Sequence, residues 1–284
     1  MAAPAHRPTL LIIGGAEDRR GRSSILRRFV RLAGGKQATI AIIPTASSFQ
    51  DEVSSAYAEV FARLGARTCA VVDPRDRSEA SDERLVARLD EATGVFLTGG
   101  SQLRLSQVVA GTPSGEAIHR AYRRGAVIGG TSAGASIMSE FMIALGDEGV
   151  TPRQRASQLS HGLGLLPGVV IDQHFAQRQR YGRLMSVIAM SPNLIGIGID
   201  ENTALEVVDG ITATVLGRGG VHILDCRAAI TDAPDARTGA PLLVSNAVVH
   251  ALPAGATFDL DKRVLVDFVE KHLDAGISQA GARA

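Results

Sequence analysis

The sequence predicts an α/β protein with three layers: a mainly parallel β-sheet, helices on both of its faces, and antiparallel strands at its C-terminal edge. Short apolar runs alternate with helix-like patterns as far as residue 200. Strands separated by helices form right-handed crossovers, which align neighbouring strands in parallel. After residue 203 strands follow one another directly, and Asp209-Gly210 is typical of a two-residue hairpin turn.

Each strand is assigned from a short apolar run, and each helix from apolar residues that recur at helical spacing. Parallel strands are expected at 9–13, 39–43, 68–72, 95–98, 126–128, 169–172 and 195–200. Helices are expected between them at 20–32, 51–64, 82–89, 101–124 with a break at 111–113, and 177–190. Further strands at 204–208, 211–216, 221–224 and 242–249 are expected to extend the same sheet with antiparallel edge strands.

The chain has 284 residues, which is enough for one large domain or two smaller ones. Because the late strands are expected to extend the first sheet, residues 9–275 are predicted to form a single α/β domain. Residues 1–8 and the Ala- and Gly-rich residues 276–284 are predicted to be tails, the latter disordered.

The composition excludes several classes of partner. The net charge is +1, which argues against nucleic acid or an anionic membrane as the main partner. No apolar run approaches the roughly 18 residues of a membrane helix, and the N-terminus lacks a signal-peptide core. Cys69 and Cys226 are far apart and typical of core residues in a reducing compartment, rather than a disulfide or metal site. We therefore expect a cytoplasmic protein with no metal.

The segment 126–135 indicates a nucleophile elbow. An apolar strand runs into Gly130-Thr-Ser-Ala-Gly134, and small residues then begin a helix. This G-x-S-x-G pattern holds a serine on a sharp, strained turn where its hydroxyl is exposed. Ser132 is therefore the candidate nucleophile. The alternative is a small-residue turn in which the serine is buried or caps the helix.

A serine nucleophile needs a base, and the base needs an orienting acid. Of the seven histidines, His174 directly follows a buried-looking strand, while the others lie in tails, loops, helices or the C-terminal β region. Glu201 follows another such strand. Active sites of open parallel sheets form beyond the carboxyl ends of strands, so Ser132, His174 and Glu201 are expected to converge. Asp200 competes with Glu201 for the acid role, and strand alternation favours Glu201.

An oxyanion needs backbone N–H donors. The N–H of Ala133 follows the serine directly. Gly99-Gly100 ends another strand, where the backbone can approach a substrate carbonyl closely, so Gly100 is the second candidate; a plain tight turn is the alternative. Gly14-Gly15 does not form the G-x-G-x-x-G pattern of dinucleotide sites, and we expect no cofactor.

Arginines cluster directly after the candidate base. Arg178, Arg180 and Arg183 lie at the start of a predicted helix, where positive charge opposes the helix dipole. Their density there indicates an anionic partner, although a solvated helix face is a common cause of such a cluster.

Several longer motifs occur in a fixed order between about Leu10 and Leu224. They are Gly14-Gly-Ala-Glu-Asp18, Thr98-Gly-Gly-Ser-Gln102, Gly130-Thr-Ser-Ala-Gly-Ala135, Gly162-Leu-Gly-Leu-Leu-Pro-Gly168, Ile171-Asp-Gln-His-Phe-Ala-Gln-Arg178 and Gly196-Ile-Gly-Ile-Asp-Glu201. By these motifs the chain resembles the cyanophycinases, serine peptidases with a class I glutamine-amidotransferase-like fold. The resemblance implies Ser132 as nucleophile, His174 as base and Glu201 as acid, and it suggests a homodimer.

The resemblance also implies a substrate: cyanophycin, a polyaspartate chain with arginine on each β-carboxyl, released as β-Asp-Arg dipeptides. Arg180 and Arg183 are then expected to bind a carboxylate, and Asp172 an amino group or guanidinium. Gln102 and Gln173 are expected to orient the scissile amide. The loop 146–150 departs from the family pattern, which leaves the fine substrate preference open.

Other functions stay open at this point. The chain can instead be an aspartyl dipeptidase that takes free α- or β-Asp peptides. It can also be a non-catalytic protein that binds a small molecule on an amidotransferase-like fold. A general esterase is disfavoured, because no histidine and acid follow Ser132 in the order of the α/β-hydrolases.

Overall fold

The computed structural model describes residues 7–268, and strands alternate with helices through the first half of them. The first strands are β1 (Thr9–Ile13), β2 (Thr39–Ile43), β3 (Thr68–Val71), β4 (Gly94–Leu97) and β5 (Val127–Thr131). The helices among them are α1 (Ser24–Leu32), α2 (Gln50–Arg63), α3 (Glu83–Glu91), α4 (Gln102–Val109) and α5 (Pro113–Arg123). Short 3-10 helices span Gly35–Gln37 and Glu79–Ser81.

The second half is richer in strands. In chain order its elements are α6 (Ala133–Ser136), β6 (Phe141–Gly146), β7 (Ser157–His161), β8 (Val169–Gln173), α7 (Tyr181–Met190), β9 (Ile195–Ile199), β10 (Thr203–Val208), β11 (Thr212–Gly217) and β12 (Val221–Asp225), then β13 (Ile230–Thr231), β14 (Val244–Ser245), β15 (Val248–Leu252), β16 (Ala256–Asp259) and β17 (Val264–Phe268). The predicted tail 276–284 and most of the tail 1–8 lie outside the described residues, and the single-domain assignment of 9–275 stays a prediction.

The α/β class is confirmed. Within residues 7–268 the larger sheet has nine strands in the order β17-β16-β11-β10-β1-β5-β4-β2-β3. The strands β1 to β5 are parallel to one another, and β10, β11, β16 and β17 continue the sheet beyond β1 in antiparallel pairs. The hairpin predicted at Asp209-Gly210 joins β10 to β11, with both residues at positive φ.

Helices cover both faces of this sheet, as predicted. Alternate residues of β1 enter different cores, because successive side chains of a strand point to opposite faces. Leu10 and Ile12 pack with the apolar residues of α3, α4 and α5. Leu11 and Ile13 pack with those of α1 and α2, whose cluster contains Phe29. The full burial of these strand residues explains the continuous apolar runs in the sequence.

The arrangement of the late strands corrects one expectation. A second sheet in residues 7–268 has the order β15-β12-β9-β8, with β8 and β9 parallel. Strands 169–172, 195–200, 221–224 and 248–249 therefore do not extend the first sheet. The sequence predicts that these strands are buried but not which strands they pair with, since pairing depends on distant segments. One face of the second sheet joins the main core, and α7 covers the other.

Two predicted elements are shorter because a polar side chain or a turn interrupts them. The helix expected from residue 20 begins at Ser24, since Asp18 accepts hydrogen bonds from the N–H groups of Arg20, Gly21 and Ser23 and holds a turn there. The strand expected at 242–249 is divided between β14 and β15 around Asn246, which has a positive φ. Within residues 7–268, no helix has the length and apolar content that a bilayer crossing requires.

Candidate active site

The elbow around Ser132 has the geometry that its sequence predicts. Strand β5 ends at the residue before it and helix α6 begins at the residue after it. Ser132 has φ 53° and ψ −113°, a conformation that costs a non-glycine residue about 1–3 kcal/mol. A Cβ on Gly130 would lie 2.3 Å from the carbonyl oxygen of Gly134, and one on Gly134 would lie 2.1 Å from that of Leu97. The glycines are therefore required for the turn.

Ser132, His174 and Glu201 form one hydrogen-bonded chain. Nε2 of His174 lies 3.0 Å from Oγ of Ser132, and Nδ1 lies 2.6 Å from Oε1 of Glu201. The imidazole is 13% exposed and the Glu201 side chain 37% exposed, so this series of hydrogen bonds ends at a carboxylate that solvent can reach. A hydroxyl, an imidazole and a carboxylate in this order can activate the hydroxyl as a nucleophile.

His174 is held at the end of β8 by the loop that follows β1. Its N–H donates to the carbonyl of Gly14 at 2.8 Å. Its ring lies against Gly15, where a Cβ would lie 2.3 Å from Cε1 of the imidazole, and the φ of +102° at Gly15 also favours glycine. The first double glycine of the chain therefore makes room for the imidazole rather than for a nucleotide.

The two acids after β9 have separate roles in the geometry. Asp200 accepts hydrogen bonds from the N–H groups of Ala176 and Gly220, each at 3.0 Å. It thereby fixes the turn that follows His174. Glu201 points to the imidazole, as the alternation argument predicts.

The three residues converge from two sheets and not from one. Ser132 follows β5 in the nine-stranded sheet, whereas His174 and Glu201 follow β8 and β9 in the other. The expectation that all three strands share one parallel sheet is therefore wrong. The chain passes from β9 into β10, which pairs with β1 beside β5, and this crossing brings the strand ends together.

The glycine pair 99–100 borders the serine. A Cβ on Gly99 would lie 3.4 Å from Cβ of Ser132 and 3.9 Å from its Oγ. Gly100 has a φ of +142°, and a Cβ there would lie 2.1 Å from the carbonyl oxygen of Ala46. Sequence reasoning selected Gly100 and missed Gly99, although the double glycine was the signal for both. The backbone at this turn lies next to the hydroxyl, as does Ala133 from the other side.

The two glutamines differ in their surroundings. Oε1 of Gln173 accepts from Oγ of Ser132 at 3.3 Å, so this amide lies at the reacting atoms. Nε2 of Gln102 donates to the carbonyl of Ile143 at 2.8 Å. The Gln102 side chain therefore links α4 to β6 and the structure does not bring it to the serine hydroxyl.

Asp172 binds arginines of its own chain. Nε and Nη2 of Arg183 donate to its two carboxylate oxygens at 2.6 and 2.5 Å, and Nη1 of Arg180 lies 3.4 Å away. The Asp172 side chain is 1% exposed. The expectation that Asp172 binds a substrate cation is therefore corrected, whereas the contact of Arg183 with a substrate carboxylate stays a prediction, since Arg183 also lines the neighbouring cavity. The anion that the arginine cluster predicted is, for Arg183, this carboxylate.

Arg180 retains capacity for a further anion. Two guanidinium groups surround the single charge of Asp172, and Nε of Arg180 is buried without a hydrogen-bond partner among the described residues. Burial, together with the nearby charges of Arg183 and Arg178, lowers the pKa of Arg180 to about 10 in spite of Asp172. Arg178 is exposed on the preceding turn, because α7 begins at Tyr181 and not at 177.

A cavity of about 510 Å³ lies beside this cluster. Arg183 contributes to its wall, together with Asp147, Glu148 and Arg153. Oε1 of Glu148 lies 3.9 Å from Nη2 of Arg180 and its side chain is 56% exposed. The loop 146–150 thus supplies carboxylates to the mouth of a cavity with an arginine wall. In residues 7–268, no group of three or more His, Cys, Asp or Glu side chains is arranged to hold a metal ion.

Replacing Asp172 with asparagine should lower the free energy of unfolding by about 3–5 kcal/mol, because it leaves two buried guanidinium groups without a counter-charge. The matched control is Asp90→Asn, which breaks the exposed ion pair with Arg120 and should cost at most about 1 kcal/mol. Chemical denaturation of both variants measures the difference. Equal stabilities of the two variants would contradict the buried pairing as the source of stability.

Comparisons with known proteins identify the family of this chain. The model of peptidase family S51 matches residues 10–215. A cyanophycinase of Nostoc sp. is 40% identical over 269 residues, which is 94% of this chain and 90% of that protein. A cyanophycinase of Synechococcus elongatus is 40% identical over 259 residues, 90% of this chain and 80% of that protein.

A solved structure shares the fold. The crystal structure of a peptidase from an acI-B1 Actinobacterium has a TM-score of 0.65 at 23% identity, and the match covers 90% of this chain and 98% of that one. The family match and the identities to the two cyanophycinases extend over most of the chain, including the elbow and the ends of β8 and β9. The chain belongs to peptidase family S51.

Proposed function

We propose that this peptidase hydrolyses cyanophycin to β-Asp-Arg dipeptides, with Ser132 as nucleophile, His174 as general base and Glu201 as the orienting acid. The observation that carries the proposal is the hydrogen-bonded chain Ser132–His174–Glu201 in a family whose curated relatives are cyanophycinases. The mechanism follows from the chemistry of these three groups and requires no metal or cofactor.

In the first step Nε2 of His174 takes the proton of Ser132 while Oγ attacks a main-chain carbonyl of the polyaspartate, because the released β-Asp-Arg dipeptide keeps its isopeptide bond. Glu201 accepts a hydrogen bond from Nδ1, which fixes the tautomer and stabilises the imidazolium. The N–H groups of Ala133 and Gly100 bind the developing oxyanion, each contributing about 10²–10³ in rate. His174 then gives its proton to the leaving amine as the C–N bond breaks and an acyl-enzyme forms.

In the second step a water molecule loses a proton to His174 and attacks the acyl carbonyl. The tetrahedral intermediate collapses, the ester bond to Ser132 breaks, and His174 returns the proton to Oγ. The side-chain oxygen of Gln173 is near enough to orient the amide N–H of the substrate.

A β-Asp-Arg unit carries both carboxylate and guanidinium, and the cavity beside Arg180 offers both counter-charges. We propose that Arg180, whose Nε has no hydrogen-bond partner within residues 7–268, and the exposed Arg178 bind the substrate carboxylate. The guanidinium then lies near Asp147 and Glu148 on the loop 146–150. This assignment replaces Asp172, whose oxygens Arg183 already occupies.

The direct test is incubation of the purified protein with cyanophycin, followed by mass spectrometry of the soluble products. β-Asp-Arg dipeptides are expected. Cleavage of free α-Asp dipeptides with an untouched polymer would instead establish the aspartyl dipeptidase. Binding of cyanophycin without release of dipeptides, and no reaction of Ser132 with a serine-directed reagent, would establish a non-catalytic binding protein.

We also propose that the protein acts in the cytoplasm as a homodimer. Cys69 and Cys226 are free thiols, which suits a reducing compartment. The outermost strand of the nine-stranded sheet exposes Val264, Leu265 and Val266, an apolar edge of the kind that a second copy covers. Light scattering of the purified protein should give twice the mass of the chain, and a monomer mass at micromolar concentration would exclude the dimer.

A further inference from the structure

One loop contacts the backbone beside each of the three residues of the proposed triad. This loop, taken as residues 13–18, begins at the last residue of β1 and contains the first of the motifs found in the sequence. The carbonyl oxygens of residues 13, 14 and 15 accept hydrogen bonds from the N–H groups of Ser132, His174 and Asn202, at 3.0, 2.8 and 2.8 Å. Asn202 directly follows Glu201. The loop therefore ties together the ends of strands from both sheets.

The side chain of Glu17, in the same loop, continues this contact into the core. It is 6% exposed. The hydroxyl of Tyr57 on α2 donates to Oε1 at 2.5 Å, and the hydroxyl of Thr131 donates to Oε2 at 2.6 Å. Thr131 is the last residue of β5 and directly precedes Ser132. Each oxygen of the carboxylate thus binds one buried hydroxyl.

The chemistry of the site favours a carboxylate over any neutral side chain. A buried carboxylate is costly unless hydrogen bonds compensate for lost water, and hydrogen bonds to a charged acceptor are short and strong. Burial and the charge of Glu17 raise the pKa of Tyr57 well above its usual value, so the phenol stays protonated and donates. Both hydroxyls are donors that need an acceptor, and an ionised carboxylate accepts at both oxygens.

Glu17 contacts the residue that precedes the strained Ser132. Ser132 has a positive φ, and such a conformation persists only where the surroundings fix it. The Glu17 carboxylate fixes the side chain of the preceding residue, Thr131, and the carbonyl of Ile13 fixes the N–H of Ser132 itself. The loop therefore fixes the peptide between Thr131 and Ser132 through one side-chain contact and one backbone contact.

We propose that Glu17 is a positioning residue of the peptidase: through Thr131 it holds the nucleophile elbow so that Oγ of Ser132 stays in line with the imidazole of His174. The inference rests on the proposed role of Ser132 as nucleophile. Glu17 does not touch the substrate, so its effect is on the rate of bond formation and not on binding.

The test is Glu17→Gln, which keeps the shape of the side chain. A glutamine amide has only one acceptor oxygen, whereas the hydroxyls of Tyr57 and Thr131 each need an acceptor. We expect kcat on cyanophycin to fall about 10- to 100-fold, as for small misplacements of reacting groups, with KM within threefold of the parent value. The rate at which a serine-directed reagent labels Ser132 should fall by the same factor. Glu59→Gln, on the exposed face of α2, is the control with the same change of charge and should match the parent.

A second pair of variants tests the same contact from the other side. Thr131→Val removes the hydroxyl at nearly constant volume and should reduce kcat as much as Glu17→Gln does. Thr131→Ser keeps the hydroxyl and should restore most of the rate. The double variant of Glu17→Gln and Thr131→Val should be no slower than either single variant, because both remove one contact. This pair gives a result even if Glu17→Gln fails to fold.

Two results would overturn the positioning role. One is a Glu17→Gln variant with parent kcat and labelling rate; the other is a Thr131→Ser variant as slow as Thr131→Val. Failure of the proposed function has a different signature, since the parent protein would then release no dipeptides from cyanophycin, whereas the labelling rate of Ser132 would still compare Glu17→Gln with the parent. The two failures are therefore distinguishable in one set of assays.

Discussion

Replacing Ser132 with alanine is expected to reduce the turnover of cyanophycin by at least about 10³-fold while the protein remains folded. The reason is chemical: no acyl-enzyme can form without Oγ, and the residual rate comes from the remaining hydrogen-bond donors and from substrate binding. The loss should appear in kcat, because Oγ forms a bond only as the reaction proceeds. Steady-state kinetics on the polymer, with mass spectrometry of the released dipeptides, measures it.

The control for this change is Ser55→Ala, which removes a hydroxyl from an exposed position of α2. It should leave both kcat and thermal stability at the parent values. The unfolding temperature of Ser132→Ala should also stay close to the parent, since the change removes only the part-buried hydrogen bonds of one hydroxyl to Gln173 and His174. Near-parental hydrolysis by Ser132→Ala would show that Ser132 is not the nucleophile, and it would contradict the acyl-enzyme mechanism proposed above.

The elbow was predictable from sequence because its determinants are local. A strand, a serine between glycines and a following run of small residues define the turn within ten positions. The structure adds the reason in distances: a Cβ at Gly130 or Gly134 would lie within 2.3 Å of a carbonyl oxygen. The hairpin at Asp209-Gly210 was predictable on the same basis, since two successive residues with positive φ are needed there.

Strand partners were not predictable, because they depend on distant segments. Strand β9 and residues 169–171 of β8 form apolar runs like those of β1 and β2, and the apolar residues of all four strands are buried. Nothing in that pattern indicates that β9 pairs with β12 instead of a strand of the larger sheet. The convergence of Ser132, His174 and Glu201 was nevertheless anticipated, since each follows a strand end and the two sheets meet at those ends.

The arginine cluster shows that an anion indicated by the sequence can belong to the same chain. Arginines at the start of a helix indicate an anion, and the anion for Arg183 is Asp172, eleven positions earlier in the same chain. The intervening turn brings them together, and the sequence does not encode the fold of that turn in a recognisable motif. The contacts of Gly99 with Ser132 and of Glu17 with Thr131 were not predicted for the same reason, because each joins segments that are far apart in the sequence.

Replacing Glu201 with glutamine is expected to lower kcat by about 10³–10⁴-fold, the loss typical of removing the acid of such a triad. Glu201 only accepts hydrogen bonds, so Nδ1 of His174 must carry its proton and Nε2 presents a lone pair to Ser132. A glutamine amide can donate to Nδ1, which moves the proton to Nε2. The imidazole then cannot take the proton of the serine hydroxyl, although the geometry is unchanged.

Asp200, the neighbouring acid, provides a control that distinguishes a loss of proton transfer from a loss of structure. Asp200→Asn removes one of two backbone hydrogen bonds, so it should lower the free energy of unfolding by about 1–3 kcal/mol. Its kcat should fall far less than that of Glu201→Gln, which should unfold like the parent because its side chain is over a third exposed. Kinetics and denaturation of the two variants therefore separate a proton-transfer role from a structural one. A Glu201→Gln variant within tenfold of the parent rate would show that another group fixes the tautomer of His174. Glu201 would then not be the orienting acid.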